Sequence, residues 1–182
     1  MAQHATTSLP PLDERTFEIV REFDAPRDLV WKVWTEPEHV AHWWGPKGFD
    51  APVCEMDLRP GGAWRIHMRD MNDPTGAEGP IKGIFREIVK PERLVMIMDV
   101  SEQSDDWHDL VNPGWDRTKG HPAMNMEQTA IFEDLGNNRT RLTIRTRVES
   151  AELLARMRNL GMYDGWSQSL DKMADTLSVI KA

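Results

Sequence analysis

The sequence predicts an α+β fold in which a curved antiparallel sheet wraps around one long helix at the carboxyl end. Three observations support this class. A strand-like segment followed by two short helical segments opens the chain, an amphipathic helix from about residue 162 to residue 181 closes it, and the sequence between them is strand-like. The length of 182 residues fits one domain, predicted over residues 14–182 after a disordered polar leader of residues 1–13.

The first elements follow from alternation and from proline placement. Residues 16–23 alternate apolar and polar side chains, as a half-buried strand does. Apolar residues at helical spacing follow from Arg27, and Pro37 interrupts this helix and opens a second one. Gly45 and Pro46 then end the second helix, which places both helices between the first strand and the rest of the sheet.

Residues 51–148 are predicted to form successive strands separated by turns. The turn signals are Pro60-Gly61-Gly62, Asp73-Pro74-Thr75-Gly76, Lys90-Pro91-Glu92 and Gly136-Asn137-Asn138. Such short links indicate antiparallel neighbours, because parallel strands need longer crossovers. The alternation in residues 64–69 places Trp64, Ile66 and Met68 on one face. The final helix carries one apolar stripe for this face: Met162, Trp166, Leu170, Met173 and Leu177.

Composition excludes several classes of partner. The chain is 40% hydrophobic and 29% charged, without an apolar run long enough for a membrane span. Its formal net charge of -8 provides no basic surface for nucleic acid or an anionic membrane. The residues before Thr16 lack the pattern of a secretory signal, and the lone Cys54 forms no internal disulfide. We therefore expect a cytoplasmic protein in which Cys54 is a packed thiol.

Short motifs in a fixed order carry a resemblance to a known family. They are Asp24-Ala25-Pro26-Arg27-Asp28-Leu29-Val30-Trp31, Trp43-Trp44-Gly45-Pro46-Lys47-Gly48-Phe49, Asp57-Leu58-Arg59-Pro60-Gly61-Gly62-Ala63-Trp64-Arg65 and Gly165-Trp166-Ser167-Gln168-Ser169-Leu170. From about Thr16 onward the chain resembles the family named after the C-terminal domain of the activator of the Hsp90 ATPase, within the START-like or Bet v 1-like superfamily.

The resemblance implies a helix-grip fold with an apolar cavity between sheet and helix. Relatives of this fold include lipid and hormone carriers, polyketide cyclases, ring-hydroxylase subunits and proteins that protect against toxic natural products, so the fold does not choose a function. The co-chaperone that names the family also uses a separate amino-terminal domain, for which the residues before Thr16 leave no room. ATPase stimulation is therefore not expected, and a weaker chaperone contact is kept as an alternative.

Aromatic and methionine side chains are the predicted lining of a ligand pocket. A sheet that grips one helix is difficult to fill completely, and tryptophan with flexible methionine forms an adaptable apolar wall. The candidates are Trp43, Trp44, Trp64, Met68, Phe85, Met96, Met98, Met126 and Trp166. The leading hypothesis is a non-catalytic protein that binds a small apolar or aromatic molecule and needs no cofactor.

An enzyme of the cyclase or hydrolase kind is the first alternative. It needs a titratable group in the cavity, and Glu87, Asp99 and Glu127 lie in predicted strands from which one could face inward. His67 is predicted on the solvent side of its strand, opposite Trp64. Motifs for nucleophilic hydrolysis and for phosphate binding are missing from the sequence.

Residues 101–123 are predicted to form a long inserted loop that acts as a lid. The candidate lid residues are Trp107, His108 and Trp115, since large aromatics in a polar loop must pack over a cavity mouth or against a partner. These tryptophans also motivate two further hypotheses, a protein-interaction domain and a homodimer. The acidic and histidine residues of the loop match no compact metal-binding spacing, so a metal site is not predicted.

Overall fold

The computed structural model describes residues 9 and 11–181, and the predicted leader over residues 1–13 lies largely outside them and stays a prediction. The strands are β1 (Thr16–Phe23), β2 (Phe49–Met56), β3 (Ala63–Asp70), β4 (Glu78–Val89), β5 (Arg93–Asp99), β6 (Asn125–Gly136) and β7 (Arg139–Arg147). All neighbouring strands pair antiparallel in one seven-stranded sheet of order β1-β7-β6-β5-β4-β3-β2.

Three of the five α-helices in the described residues lie where the sequence changes from a period of two to a helical period. The five are α1 (Arg27–Thr35), α2 (Pro37–Trp43), α3 (Asp105–Val111), α4 (Ala151–Asn159) and α5 (Met162–Lys181). The predicted α+β class, with two short helices after the first strand and a long closing helix, is confirmed. Helices α3 and α4 were not predicted.

The core lies between the concave face of the sheet and helix α5. Alternation buries Trp64 and Ile66 on β3, as the sequence pattern predicts, and it also buries Leu142 and Ile144 on β7. On α5 the buried stripe is Ser169, Leu170, Met173 and Leu177. Helix α5 packs against α1, α2, α4 and β1, so the first and last parts of the chain close one core around the same helix.

A tryptophan cluster, defined as Trp34, Trp43, Trp44 and Trp166, joins α1 and α2 to α5. Trp34 lies 4.8 Å from Trp43 between ring centroids, and Trp44 lies 5.6 Å from Trp166 in an edge-on arrangement. Trp43 Nε1 donates a hydrogen bond to the Val33 carbonyl at 2.9 Å, so its polar atom is satisfied in the core. Burial of such large side chains contributes strongly to the free energy of unfolding.

The turn after Trp44 is held by the final helix. Gly45 and Gly48 adopt φ angles of 93° and 88°, a backbone conformation that residues other than glycine rarely adopt. Lys172 on α5 donates from Nζ to the carbonyl oxygens of Gly45 at 3.0 Å and Phe49 at 2.9 Å. Burial lowers the pKa of the Lys172 ammonium from its usual value. The turn and α5 therefore form one interlocked unit.

The segment 101–123 is not a structureless loop, which corrects the prediction. It contains helix α3 and a single 3-10 turn at Arg117–Lys119. The Ser104 side chain caps α3 by accepting from the Trp107 backbone N–H at 3.3 Å. The segment was predicted to be a loop because most of its residues are polar. Its short helix is nevertheless amphipathic, and its buried side consists of His108 and Val111. Helix α3 packs against α4 rather than crossing the sheet.

Helix α4 also begins at a serine cap, because Ser150 Oγ accepts from the Leu153 backbone N–H at 3.1 Å. Leu153 and Leu154 are its buried residues, and Gly161 with φ of 87° turns the chain into α5. Among the described residues, none of the helices combines the length and the apolar composition needed to cross a membrane.

Candidate functional site

A small apolar pocket lies between the concave face of the sheet and the first half of α5. Its volume is about 190 Å³. Its wall is formed by the turn after α2, by strands β3 to β7 and by the junction between α4 and α5. The lining residues are Trp44, Gly45, Pro46, Met68, Ile81, Met98, Met126, Gln128, Thr146, Met157, Met162, Gly165, Trp166 and Ser169.

Burial along the lining shows which end of the pocket faces solvent. Met98 and Met126, paired across β5 and β6, are each 5% exposed and form the floor. Pro46, Met157 and Met162 are only half-buried. The mouth therefore lies beside the α4–α5 junction and the turn after α2.

Five of the nine residues predicted to line a pocket do border this one. Trp44, Met68, Met98, Met126 and Trp166 were predicted and do line the pocket. The other candidates, Trp43, Trp64, Phe85 and Met96, are at most 2% exposed and pack in the core instead. Alternation identified the correct face of each strand, but the position along the strand decides whether a side chain fills the core or borders the empty space.

The α4–α5 junction was missed as a wall of the pocket. Met157 lies on a helix that was not predicted, and Met162 was assigned to the apolar stripe of the last helix without a pocket role. A serine followed by Glu152 and two leucines was the available signal for α4, since a capping serine before an apolar pair is typical of a helix start.

A polar pair at the floor of the pocket was also missed. Gln128 and Thr146 are cross-strand neighbours on β6 and β7, and each is 1% exposed. Gln128 Nε2 donates to Thr146 Oγ1 at 3.3 Å. Among the residues that the structure describes, Gln128 Oε1 is buried and has no hydrogen-bond partner. An unpaired buried carbonyl oxygen costs about 1–3 kcal/mol, which makes it a site that favours a donor.

The predicted carboxylates do not reach this pocket. Glu127 pairs with Arg86, Glu87 pairs with Arg93, and Asp99 lies 3.9 Å from Lys82. All of these pairs lie on the opposite face of the sheet from the pocket. None of the described lining residues is titratable, because the wall consists of apolar side chains, glycines, one amide and two hydroxyls. The arrangement therefore provides no group for acid–base catalysis.

His67 lies on the outer face as its alternation predicts. Its Nδ1 is 2.5 Å from a Glu78 carboxylate oxygen, and Arg65 Nε donates to its Nε2 at 2.6 Å. A groove of about 690 Å³ on that outer face is larger than the apolar pocket, but Arg65 and Lys82 on its wall both pair with Glu102. Half of its described lining residues are charged, so we assign the candidate site to the apolar pocket.

The predicted lid residues lie elsewhere. Trp107 and Trp115 pack against the buried ring of His108, at centroid distances of 5.2 Å and 5.4 Å. His108 Nε2 lies 3.0 Å from the Ser101 carbonyl oxygen. Trp107, His108 and Trp115 are not among the described lining residues of the pocket. Helix α3 of this segment contacts α4, where Arg156 donates to the Val111 carbonyl at 3.1 Å.

Several titratable residues of the 101–123 segment pair within the segment. Arg117 bridges Asp105 at 3.0 Å and Asp109 at 2.5 Å, and His121 Nε2 lies 2.7 Å from Asp105. The hydrogen bond from His121 and the charge of Arg117 lower the pKa of the Asp105 carboxyl from its ordinary value. These ion pairs lie on the exposed surface of the segment, where a single pair contributes little to the free energy of unfolding.

Two potentially reactive features lie outside the pocket, a cluster at the start of α2 and the thiol of Cys54. Glu36, Glu38 and His39 lie at the start of α2 and place potential metal-ligand atoms within 4.8 Å of one another. Exposed acidic groups of this kind are common in proteins that bind no metal there. Burial, together with the charge of Glu55, raises the pKa of the Cys54 thiol to about 11. Cys54 is therefore a poor nucleophile near neutral pH, in agreement with its predicted role as a packed thiol.

Fold and pocket together define a class: α+β proteins in which an antiparallel sheet packs around a carboxyl-terminal helix beside an apolar pocket. The chain belongs to the family described as Activator of Hsp90 ATPase homolog 1-like protein, whose model matches residues 24–178. This confirms the family resemblance that the sequence motifs carry.

Solved structures agree with this assignment. A crystal structure of a protein from Nitrosomonas europaea is 26% identical over 93% of this chain and 99% of its own, with a TM-score of 0.73. A solution structure from Arthrobacter aurescens is 28% identical over 92% of this chain and 90% of its own, also at 0.73. An AHSA1 protein from Silicibacter pomeroyi, 21% identical over 90% and 98%, shares the fold at 0.66. A search of curated proteins found no match.

Proposed function

We propose that this protein binds a small apolar or aromatic molecule in the pocket between the sheet and α5, without catalysing its conversion. One observation carries the proposal: helix and sheet leave about 190 Å³ unfilled, and the surrounding wall is apolar. The space is open to solvent at its mouth, so water contacts this apolar wall in the unliganded protein. A ligand that fills the space replaces that water, makes dispersion contacts with the wall and gains from its own transfer out of water.

The pocket methionines, defined as Met68, Met98, Met126, Met157 and Met162, support a binding role. Methionine is unbranched and polarizable, so it adapts to ligands of different shape and makes favourable contacts with aromatic rings. Trp44 and Trp166 provide the aromatic part of the same wall. Branched side chains such as leucine and isoleucine have better-defined rotamers and would pack a stable core better. A lining of flexible methionines is instead suited to a ligand that binds and leaves.

The alternatives have less support. A cavity carboxylate is required for the cyclase or hydrolase hypothesis, and Glu87, Asp99 and Glu127 are paired on the outer face. The interaction hypothesis and the homodimer hypothesis were motivated by Trp107 and Trp115, which pack against His108 instead of forming an exposed patch. The location of the protein in the cytoplasm stays a prediction.

Methionine-methyl NMR tests the proposal directly. The protein is labelled with ¹³C at its methionine methyl groups and titrated with toluene, cyclohexane and naphthalene. We expect saturable shifts at the pocket methionines and none at Met71, which is 61% exposed and outside the pocket. If the pocket methionines do not respond to any of these probes, the proposal is wrong.

A pocket-filling variant provides the control. A Cβ added at Gly165 meets no atom within 4 Å, so Gly165→Leu places a side chain at the pocket without backbone conflict. We expect this change to abolish or strongly weaken binding of toluene. The matched control is Ser178→Leu, which adds the same side chain on an exposed position of the same helix. Equal loss of binding in both variants would contradict the assignment of the site.

A further inference from the structure

We infer that the ligand is a single-ring compound that carries a hydroxyl group, of the phenol class, with its hydroxyl on the Gln128–Thr146 pair. This inference rests on the proposed function and narrows it to one chemical class. Three independent features of the pocket carry it: its volume, the unpaired amide oxygen of Gln128, and the aromatic and thioether composition of its wall.

The volume limits the ligand to about one ring. A dry cavity of about 150 Å³ holds benzene, and drug-sized molecules need about 300 Å³ or more. The pocket of about 190 Å³ lies just above the first value. A ring with one or two small substituents fills it, whereas a fused polycycle or a lipid chain requires the surrounding helices to separate.

The polar pair defines where a substituent is bound. Gln128 Oε1 is an acceptor without a described partner, and Thr146 Oγ1 accepts the amide N–H, which leaves the threonine hydroxyl proton free to donate. A ligand hydroxyl can donate to the first atom and accept from the second. A carboxylate ligand does not fit as well, because the described lining supplies no cationic side chain to neutralise it.

Access to the amide oxygen requires a small side-chain movement. Gln128 is 1% exposed, and Met98 and Met126, its neighbours along the floor of the pocket, are each 5% exposed. Methionine has three rotatable side-chain bonds and changes rotamer at low cost. A ring that enters from the α4–α5 side therefore rotates these thioethers, contacts their sulfur atoms and brings its hydroxyl to the floor.

The test compares toluene with p-cresol, which differ by one hydroxyl, in wild-type protein and in Gln128→Met. Methionine matches glutamine in length and lacks the amide, so the pocket keeps its size. Affinities are measured by the methionine-methyl titration. We expect the ratio of p-cresol affinity to toluene affinity to fall about tenfold in the variant, the effect of one hydrogen bond to a buried acceptor. Using the ratio cancels the different hydrophobicity of the two probes.

Two further variants keep the result interpretable. Thr146→Val removes the hydroxyl of the pair and is expected to lower the same ratio, which covers the case in which Gln128→Met does not fold. Thr143→Val makes the same change on the opposite face of β7 and should leave the ratio unchanged. Binding of both probes with an unchanged ratio in Gln128→Met and Thr146→Val would overturn this inference while the proposed function stands. No binding of either probe to the wild type would overturn both.

Discussion

The indole rings of Trp34 on α1 and Trp166 on α5 are stacked, with planes 3° from parallel and centroids 6.2 Å apart. Trp34 is 2% exposed, whereas Trp166 is half-buried and lines the pocket. The contact therefore connects the wall of the candidate site to the centre of the core. Stability and ligand binding share this part of the molecule, so a test of either must measure both.

Trp34→Ala is expected to destabilise the protein by about 3–5 kcal/mol, because it removes a fully packed aromatic side chain and leaves a cavity. Urea unfolding followed by circular dichroism measures this change. The comparison variant is Trp115→Ala, in which a half-buried ring on the α3 segment is removed at a smaller cost. A similar loss of stability in the two variants would contradict the position of Trp34 in the core.

Trp115→Ala also tests the lid prediction. Because Trp115 packs against His108 and does not line the pocket, we expect the affinity for toluene to stay within about twofold of the wild type. Met157→Ala, at the mouth, is expected to change that affinity because it enlarges the pocket and removes contacts. The methyl titration measures both. A large loss of binding in Trp115→Ala would restore the lid hypothesis.

Lys172→Met is expected to destabilise the fold by about 1–3 kcal/mol. The ammonium donates to the carbonyl oxygens of Gly45 and Phe49, and methionine keeps the apolar stem but leaves those oxygens without these bonds. Thermal and urea unfolding measure the loss. Lys181→Met at the exposed end of the same helix is the control and should be nearly neutral. Equal effects would show that charge alone, and not the turn contact, is responsible.

Asp171→Asn is expected to flatten the acid dependence of stability. Arg21 donates from Nη1 and Nη2 to Asp171 Oδ1 at 2.9 Å each, and this holds the pKa of the carboxyl below its ordinary value of 3.8. The unfolded chain binds the proton more tightly, so the stabilising effect is present above that value and disappears as pH falls through the lowered folded-state pKa.

The measurement is the urea midpoint of wild type and Asp171→Asn from neutral pH to below the ordinary pKa. The variant should lose less stability on acidification than the wild type. Arg21→Gln removes the main partner but leaves Lys47, whose Nζ lies 3.6 Å from Asp171 Oδ2, so it should show only part of the same reduction. If Arg21→Gln keeps the full acid dependence of the wild type, the Arg21–Asp171 pair is not the source of the effect.

Cys54 is expected to react slowly with iodoacetamide. Its pKa is raised from 9.0 to about 11, mainly by burial. The thiolate fraction near neutral pH is therefore about 100-fold lower than for a thiol with a pKa of 9.0. Alkylation followed by mass spectrometry should accelerate as pH rises toward the raised pKa. The urea-unfolded chain serves as the reference and should react faster. Equal rates in folded and unfolded protein near neutral pH would contradict the burial of this thiol.

Local patterns in the sequence determined the class of fold and the inward face of each long element. The period of two assigned Trp64, Ile66 and Met68 to one face of β3, and the helical period assigned Leu170 and Met173 to the core side of α5. These properties depend on residues a few positions apart. For the same reason the motifs along the chain were sufficient to indicate the family.

Tertiary structure alone decided which inward side chains border empty space. Met98 borders the pocket and Met96, two residues earlier on the same strand, does not, because the space left between sheet and helix depends on how distant elements pack. The outward direction of Glu87, where the pairing of β4 and β5 shifts register, and the unpaired oxygen of Gln128 likewise depend on contacts across strands. Local periodicity does not contain that information, since it records the face of an element and not the packing above it.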